Sequence, residues 1–293
     1  MSGINKLPLI SVITVCYNAA QFIKQTIRSV LAQSYPLIEY IIIDGGSTDG
    51  TVEIIKKYES QLVYWHSKPD RGLAHAFNLG QAQARGEWII YLNSDDFFLD
   101  NSVIEQMVPH LVINKTADVV FGRVMSVSRQ QVATPLPLRP IYYGHRWCWE
   151  EFCRENTIPH QGAFTNRNYF KKVGNFDESL RFVIDYEFYL RTGRCLKALF
   201  IPINASAMRV GGISGNDQIY DRERERRIVR QKVGGLPKML CWYYFLRKII
   251  KYYPARLFHN LMDPYAERFS FKNRLSGDLM KSPDQLLGLN LQK

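Results

Sequence analysis

The hydrophobic pattern of residues 9–127 alternates between two periods. Residues 9–17 (LISVITVCY) form a β-branched apolar run, the mark of a strand buried on both faces. Residues 20–33 then place Phe22, Ile23, Ile27, Val30 and Leu31 at helical spacing. The alternation repeats, with strands over 39–44 (EYIIID), 62–67, 88–93 (WIIYLN) and 119–127, and helices over 51–59, 73–84 and 102–114. Such β-α-β units predict an α/β fold, a mostly parallel sheet flanked by helices on both faces. Ligands of these sheets bind beyond the carboxyl ends of the strands. The residues after each strand are therefore the candidate site: Tyr17-Asn18, Asp44-Gly45-Gly46-Ser47, Lys68-Pro69-Asp70-Arg71-Gly72 and Asn93-Ser94-Asp95-Asp96. All four segments are polar, and the topology brings them to one edge.

Beyond Pro135-Leu136-Pro137 the alternation fades. Residues 135–165 are rich in proline, aromatic and basic residues and predict irregular structure covering the sheet. A short helix over 184–192, a strand over 199–203 and a charged helix over 217–232 (DQIYDRERERRIVRQK) follow. Residues 238–253 are aromatic and basic, and the last twenty residues carry no clear period.

Composition changes this picture in one respect. A chain of 293 residues with 46% hydrophobic and 22% charged residues is ordinary for a core-forming protein. Its net charge of +11, however, is unevenly spread: residues 1–110 carry −3, residues 111–215 carry +6 and residues 216–293 carry +8. A basic second half suits an anionic partner such as nucleic acid, acidic phospholipid or a pyrophosphate-linked substrate; a solvated basic face is the other reading. Cys16, Cys148, Cys153, Cys195 and Cys241 are scattered without a C-x-x-C pair, which disfavours structural zinc. With no signal-peptide pattern, reduced thiols in a cytosolic compartment are expected. No uncharged stretch approaches the roughly 18–20 apolar residues of a membrane span.

The strand ends carry the chemistry. Adjacent carboxylates at Asp95 and Asp96 repel unless a cation or hydrogen bonds balance them. A divalent ion held with substrate phosphates does so, as does a turn in which Asp96 caps and Asp95 is solvated. In Asp44-Gly45-Gly46-Ser47-Thr48-Asp49-Gly50-Thr51, paired glycines permit close backbone approach, and Asp44 can accept from a base N–H or a ribose hydroxyl. Asp49 stands where a helix N-cap is expected. Neither a P-loop nor G-x-G-x-x-G is present.

Taken in order, these segments resemble family 2 glycosyltransferases. The likeness rests on a strand ending in Tyr-Asn (12–18), D-G-G-S-T-D-G-T (44–51), P-D-x-G-x-x-x-A-x-N-x-G (69–80) and L-N-S-D-D (92–96). It is good over residues 8–125 and continues more weakly to 215. The resemblance implies a GT-A fold, a nucleoside-diphosphate sugar donor, a divalent metal (Mg²⁺ or Mn²⁺) and inversion at the anomeric carbon. It places Tyr17, Asn18, Asp44, Gly45 and Ser47 at the nucleotide, Arg71 and Asn78 near the donor, and Ser94, Asp95 and Asp96 at the ribose, sugar or metal. Metal ligation falls to Asp95 and Asp96. Two positions depart from the pattern. Gly45 replaces the second Asp of Asp-Asp-Gly-Ser, and neutral Asn93 replaces an Asp that opens the metal motif.

The second half continues the likeness in H-Q-G-A-F (160–164), G-N-F-D-E-S-L (174–180) and D-Y-E-F-Y-L-R (185–191). On that pattern Asp185 is the general base that takes the acceptor hydroxyl's proton. Glu187 would point about 200° away on a helix. A structural role for Asp185, capping the helix and pairing with Arg191 or Arg181, is the competing reading. His160 and Gln161 fall near the cleft floor, where a lone histidine is more often a satisfied core residue. Arg209 and Ser214 lie in a glycine-bearing segment that would contact diphosphate on closing. The implied domains are a catalytic unit over 1–215 (donor half 1–110, acceptor half 111–215) and a basic helical extension over 216–293. Residues 238–256 suit either a membrane interface or a core-packed helix. The expected acceptor is a glycan or lipid-linked saccharide, on the inner face of a membrane or in the cytoplasm. A non-catalytic sugar-nucleotide binder and a nucleic-acid module using the basic half are the rival readings. Nucleic acid is not expected, because acidic strand ends would serve no purpose there.

Overall fold

The computed structural model describes residues 7–128, 141–210 and 218–252. Strands β1 (Ile10–Cys16), β2 (Ile38–Asp44), β3 (Tyr64–Ser67) and β4 (Trp88–Tyr91) alternate with helices α1 (Ile23–Leu31), α2 (Thr51–Lys56) and α3 (Leu73–Gln83). The chain then adds β5 (Phe97–Phe98), α4 (Val103–Ile113), β6 (Val119–Val127), β7 (Ile141–Tyr143) and α5 (Trp149–Arg154). Next come β8 (Ala163–Asn166), α6 (Arg167–Val173), α7 (Ile184–Leu190), β9 (Ala198–Arg209), α8 (Ile219–Lys232) and α9 (Lys238–Tyr252).

All nine strands join one sheet in the order β3-β2-β1-β4-β8-β6-β9-β5, with β7 on β6. The α/β architecture matches the sequence expectation. Its first half, β3 to β4, is parallel. Strand β8 then runs antiparallel between β4 and β6. Here the expectation of irregular structure over 135–165 is corrected, for β7, α5 and most of β8 lie within it. Four residues, AFTN, are too few to show a period, and only their neighbours in space identify them as a strand.

The apolar runs are explained by burial on both faces. Ile13, Val15, Ile41 and Ile43 enter one core with α3 and α7, whereas Ile10, Val12, Tyr40 and Ile42 enter the other with α1 and α4. Helix α3 lies close on the sheet because Gly80 faces it; an added Cβ would come within 2.5 Å of Ile13 Cγ2. Helix α8 is charged all round, yet it buries Glu223, Arg226 and Arg230. Arg230 is fully buried and donates to the Cys153 carbonyl at 2.8 Å. The described residues up to Phe245 form one compact unit. No helix among the described residues is long and apolar enough to cross a membrane.

Glu39 fastens the amino end of the parallel strands. Buried to 2% exposure, it accepts from Ser11 Oγ at 2.5 Å, Gly86 N at 2.9 Å, Arg85 Nε at 3.2 Å and the Arg85 backbone N–H. Burial alone would raise its pKa, but these donors favour the anion and hold it below the usual carboxylate range. E39A would leave buried donors unmade, and we expect a loss on the order of 3 kcal/mol in urea unfolding. A depressed folded pKa stabilises fully above the unfolded value and is lost on acidification. The gap between wild type and E39A should therefore shrink as pH falls through the carboxylate range.

Candidate active site

The carboxyl edge of the parallel strands is organised around Asp44, the last residue of β2, which is fully buried. Its Oδ1 accepts from Ser47 Oγ at 2.5 Å and Cys16 Sγ at 3.3 Å. Its Oδ2 accepts from Ser67 Oγ at 2.6 Å, Ser47 N at 2.9 Å and Gly46 N at 3.1 Å. Burial pushes this carboxyl's pKa up, but the Ser47 and Ser67 donors outweigh it and lower the pKa. Asp44 and Ser47 thus bind one another and shape the loop, and both Asp44 oxygens are engaged. Gly46, at φ +86°, packs so close to Pro69 that a Cβ would lie 3.0 Å from its nitrogen.

Asn18 takes a left-handed turn, φ 49°, after β1, a conformation asparagine tolerates. Its Oδ1 accepts from Thr48 N at 3.0 Å, while its own N–H donates to Ser47 Oγ at 2.7 Å. Asp49 accepts from Thr51 N at 3.1 Å and Ala20 N at 3.0 Å; the N-cap of α2 is Gly50, so Asp49 braces the turn ahead of the helix instead of capping it. Tyr17 is 66% exposed, with its ring edge beside Gly45.

Arg71 and Asn78 converge on Glu178 from the other half of the chain. Arg71 NH2 donates to Glu178 Oε2 at 2.6 Å, and Asn78 Nδ2 donates to Glu178 Oε1 at 3.1 Å. Asn78 also clasps Phe176, accepting from its N–H at 2.9 Å and donating to its carbonyl at 3.0 Å. Its amide therefore ties the two halves together, a role that residue type alone did not reveal.

After β4, Asn93-Ser94-Asp95-Asp96 turns across the edge. Ser94 N donates to the Val15 carbonyl at 3.3 Å. Asp96 is 1% exposed and accepts from Arg209 N at 3.2 Å, with the Gln161 side chain as a further partner. Burial, then the charge of Asp95, raises the Asp96 pKa well above the usual range. Arg209 requires a correction. It ends strand β9 and is 3% exposed, with its guanidinium 4.8 Å from the Phe22 ring and 5.0 Å from Phe97. NH2 donates to Gln25 Oε1 at 2.5 Å and NH1 to the Asp95 carbonyl. It therefore holds the acidic turn from below and is not a loop residue reaching for diphosphate. Ser214 lies outside the described residues.

A polar chain crosses from this turn to α7. Asn93 Nδ2 lies 3.1 Å from His160 Nε2, and His160 Nδ1 lies 3.3 Å from Asp185 Oδ2. A neutral amide donating to Nε2 leaves the ring proton on Nδ1, facing the carboxylate. An aspartate at 93 could not donate in this way, so the departure at Asn93 is matched to His160. Asn156 Nδ2 donates to the same Asp185 oxygen at 2.8 Å, and Tyr186 N to Oδ1 at 2.9 Å. Desolvation opposes ionisation, but the hydrogen bonds from His160, Tyr186 N and Asn156 outweigh it and lower the Asp185 pKa. One-fifth of the Asp185 side chain remains exposed. The pairing with Arg191 or Arg181 weighed from sequence does not form. Arg191 instead takes Glu187 at 2.9 and 2.6 Å, turning Glu187 away from Asp185.

Glu225 of α8 is a partner the sequence did not disclose. Its carboxylate accepts from the N–H groups of Arg181, Phe182 and Val183 at 2.8, 2.7 and 2.9 Å. It thereby clamps the backbone of the three residues that lead into the helix carrying Asp185. We expect E225A to cost about 1–3 kcal/mol, because it leaves these backbone donors without their acceptor. E225Q, which keeps one acceptor oxygen, should cost less, and thermal melts of the two variants would distinguish them.

Comparison with known proteins agrees with this geometry. The family model described as "Glycosyl transferase family 2" matches residues 11–179. An uncharacterized glycosyltransferase of Mycobacterium tuberculosis is 33% identical over 189 residues, covering 63% of this chain and 68% of that one. Among solved structures, S. aureus TarS 1-349 in complex with UDP-GlcNAc superposes with a TM-score of 0.59 at 18% identity, over 94% of this chain and 77% of that one. The mannosyltransferase PcManGT of Pyrobaculum calidifontis, in complex with GDP-Man and Mn²⁺, gives 0.59 at 18% identity, over 85% and 70%. A longer TarS structure is covered over 43% of its length. These superpositions show the fold that the two halves of the site are built on.

Proposed function

The chain belongs to glycosyl transferase family 2, and from that premise we propose that it transfers a sugar from a nucleoside-diphosphate sugar to a hydroxyl of a glycan or lipid-linked saccharide, with inversion. The observation that carries this reading is the Asn93–His160–Asp185 chain. It sets an ionised, partly exposed carboxylate two hydrogen bonds from the acidic turn. In this reading the acceptor hydroxyl attacks the anomeric carbon as its proton passes to Asp185, and the bond to the diphosphate breaks on the opposite side. His160 and Asn156 orient the carboxylate and keep it anionic beforehand.

The acidic turn fits a divalent cation. Asp95 and Asp96 form a carboxylate pair in which burial, and then the charge of Asp95, raises the Asp96 pKa, so a cation there would favour the ionised pair. Among the described residues no three His, Cys, Asp or Glu side chains make a full ligand cage. Mg²⁺ and Mn²⁺ are suited to such a site, since one or two carboxylates plus substrate phosphates suffice. We assign Asp95 and Asp96 to that role; bound there, the ion would neutralise charge on the departing diphosphate. Family relatives bind different donors, UDP-GlcNAc in TarS and GDP-Man in PcManGT, so the sugar is a property of the individual pocket.

D185N should retain donor binding while turnover falls at least a hundredfold, the lower end of general-base contributions. Unchanged turnover would sink the base assignment. Because the Asp185 pKa is lowered, the acid limb of kcat/KM should fall below the ordinary aspartate range, with activity lost only as pH drops through it.

The last helix supports peripheral membrane contact for 238–256, on the cytoplasmic face. Met239 (86% exposed), Trp242 and Tyr243 project from α9 near Lys238; residues 253–256 lie outside the described region. Interfacial aromatics beside cations suit anionic headgroups. Co-sedimentation with phosphatidylglycerol vesicles, weakened by W242A/Y243A and by salt, is expected; equal binding to neutral vesicles would contradict an electrostatic contribution.

A further inference from the structure

The departure at Gly45 and the placement of Asp70 are one feature. A Cβ built on Gly45 would stand 2.7 Å from Asp70 Oδ2 and 3.3 Å from its Cγ, with the Tyr17 ring at 3.5 Å. The carboxylate of Asp70 therefore reaches across from the loop after β3 into the space that a side chain at 45 would fill. Gly45 carries no left-handed backbone requirement, so what its missing side chain provides is room for Asp70.

Orientation and availability distinguish Asp70 from its acidic neighbours. Its Oδ1 accepts from Gly72 N at 2.7 Å, which fixes the carboxylate plane. Its Oδ2 has no hydrogen-bond partner among the described residues and faces Gly45 and Tyr17. Asp44 has both oxygens occupied by Ser47, Ser67, Gly46 and Cys16. Asp49 is committed to Thr51 and Ala20. At the ends of β1 to β3, Asp70 is thus the acid with an oxygen to offer a ligand. It does so beside an exposed aromatic ring, and base-on-aromatic stacking tolerates any base. Discrimination then falls to the carboxylate, which accepts and never donates when ionised.

We propose that Asp70 reads the nucleobase of the donor, accepting from a ring N–H while the base stacks on Tyr17. Uracil or thymine N3–H and guanine N1–H present that donor. Cytosine and adenine present a lone pair at the corresponding ring nitrogen and are repelled. The inference rests on the nucleotide-sugar reading above and names the residue that selects within it.

Isothermal titration of UDP, dTDP, GDP, CDP and ADP with Mn²⁺ tests it on wild type, D70N, D70G and the exchange variant G45D/D70G. Wild type should bind UDP, dTDP or GDP at least tenfold more tightly than CDP and ADP. That factor corresponds to one hydrogen bond to a charged group. D70N keeps the Oδ1 acceptor for Gly72 but can turn an N–H toward the base. It should weaken the preferred nucleotide about tenfold or more and narrow its lead over CDP. D70G should lose the same preference, and G45D/D70G should recover it by returning a carboxylate to that space. D70N that melts like wild type and keeps its full selectivity would overturn the Asp70 assignment while leaving the donor reading intact. Binding of CDP or ADP in preference by wild type would do the same. Failure of wild type to bind any of the five would overturn both.

Discussion

A carboxylate buried at the end of a parallel strand must find its hydrogen-bond donors inside the protein, and Asp44 finds them on the two neighbouring strands and a loop. Ser47, Gly46, Ser67 and Cys16 all turn toward it. An unpartnered buried charge would cost several kcal/mol, so the loop after β2 has one low-energy path. That path brings Gly46 against Pro69 and opens the space at Gly45 into which Asp70 leans. It also holds Ser47 where the Asn18 turn can close on it. The shape of the proposed nucleotide edge is a consequence of satisfying one acid.

The acidic turn after β4 obeys the same constraint with a different outcome. Asp96 receives the Arg209 N–H and Gln161, and Arg209 is itself wedged between Phe22 and Phe97. These partners position Asp96 without fully compensating its burial beside Asp95, and its pKa stays high. Asp44 is a finished structural network, whereas Asp95 and Asp96 form a pair that further positive charge would stabilise. That difference separates a shaping acid from acids suited to a cation.

On the other side of the site, polar groups link elements that also share an apolar core. His160 joins the turn after β4 to α7 through Asn93 and Asp185, and Glu225 of α8 clamps the backbone leading into α7. Buried Arg230 then seats α8 on the Cys153 carbonyl beside Ile219 and Val229, while Glu223 and Arg226 pair within the helix. The carboxylate proposed as base is thus held by donors from the 156–160 segment and from its own helix, which is the preorganisation that proton transfer in a partly dry cleft requires.

The sequence alone determined the parallel half of the sheet, because strands buried on both faces and helices buried on one leave local periods of apolar residues. It also located the polar strand ends, since chain direction in β-α-β units fixes which edge they share. Strand β8 left no such trace: it is four residues long, and its place between β4 and β6 is decided by pairing. Nor did the partners within the site. His160 and Asp185 are 25 residues apart, and Arg71 and Glu178 are 107 apart. The buried face of α8, on which Glu223, Arg226 and Arg230 join Ile219 and Val229, reads locally as solvated charge. Which acid is consumed by its own loop, as Asp44 is, and which keeps an oxygen free, as Asp70 does, depends on donors brought together only by the tertiary fold. Local pattern records burial; hydrogen-bond partnership is a property of the folded whole.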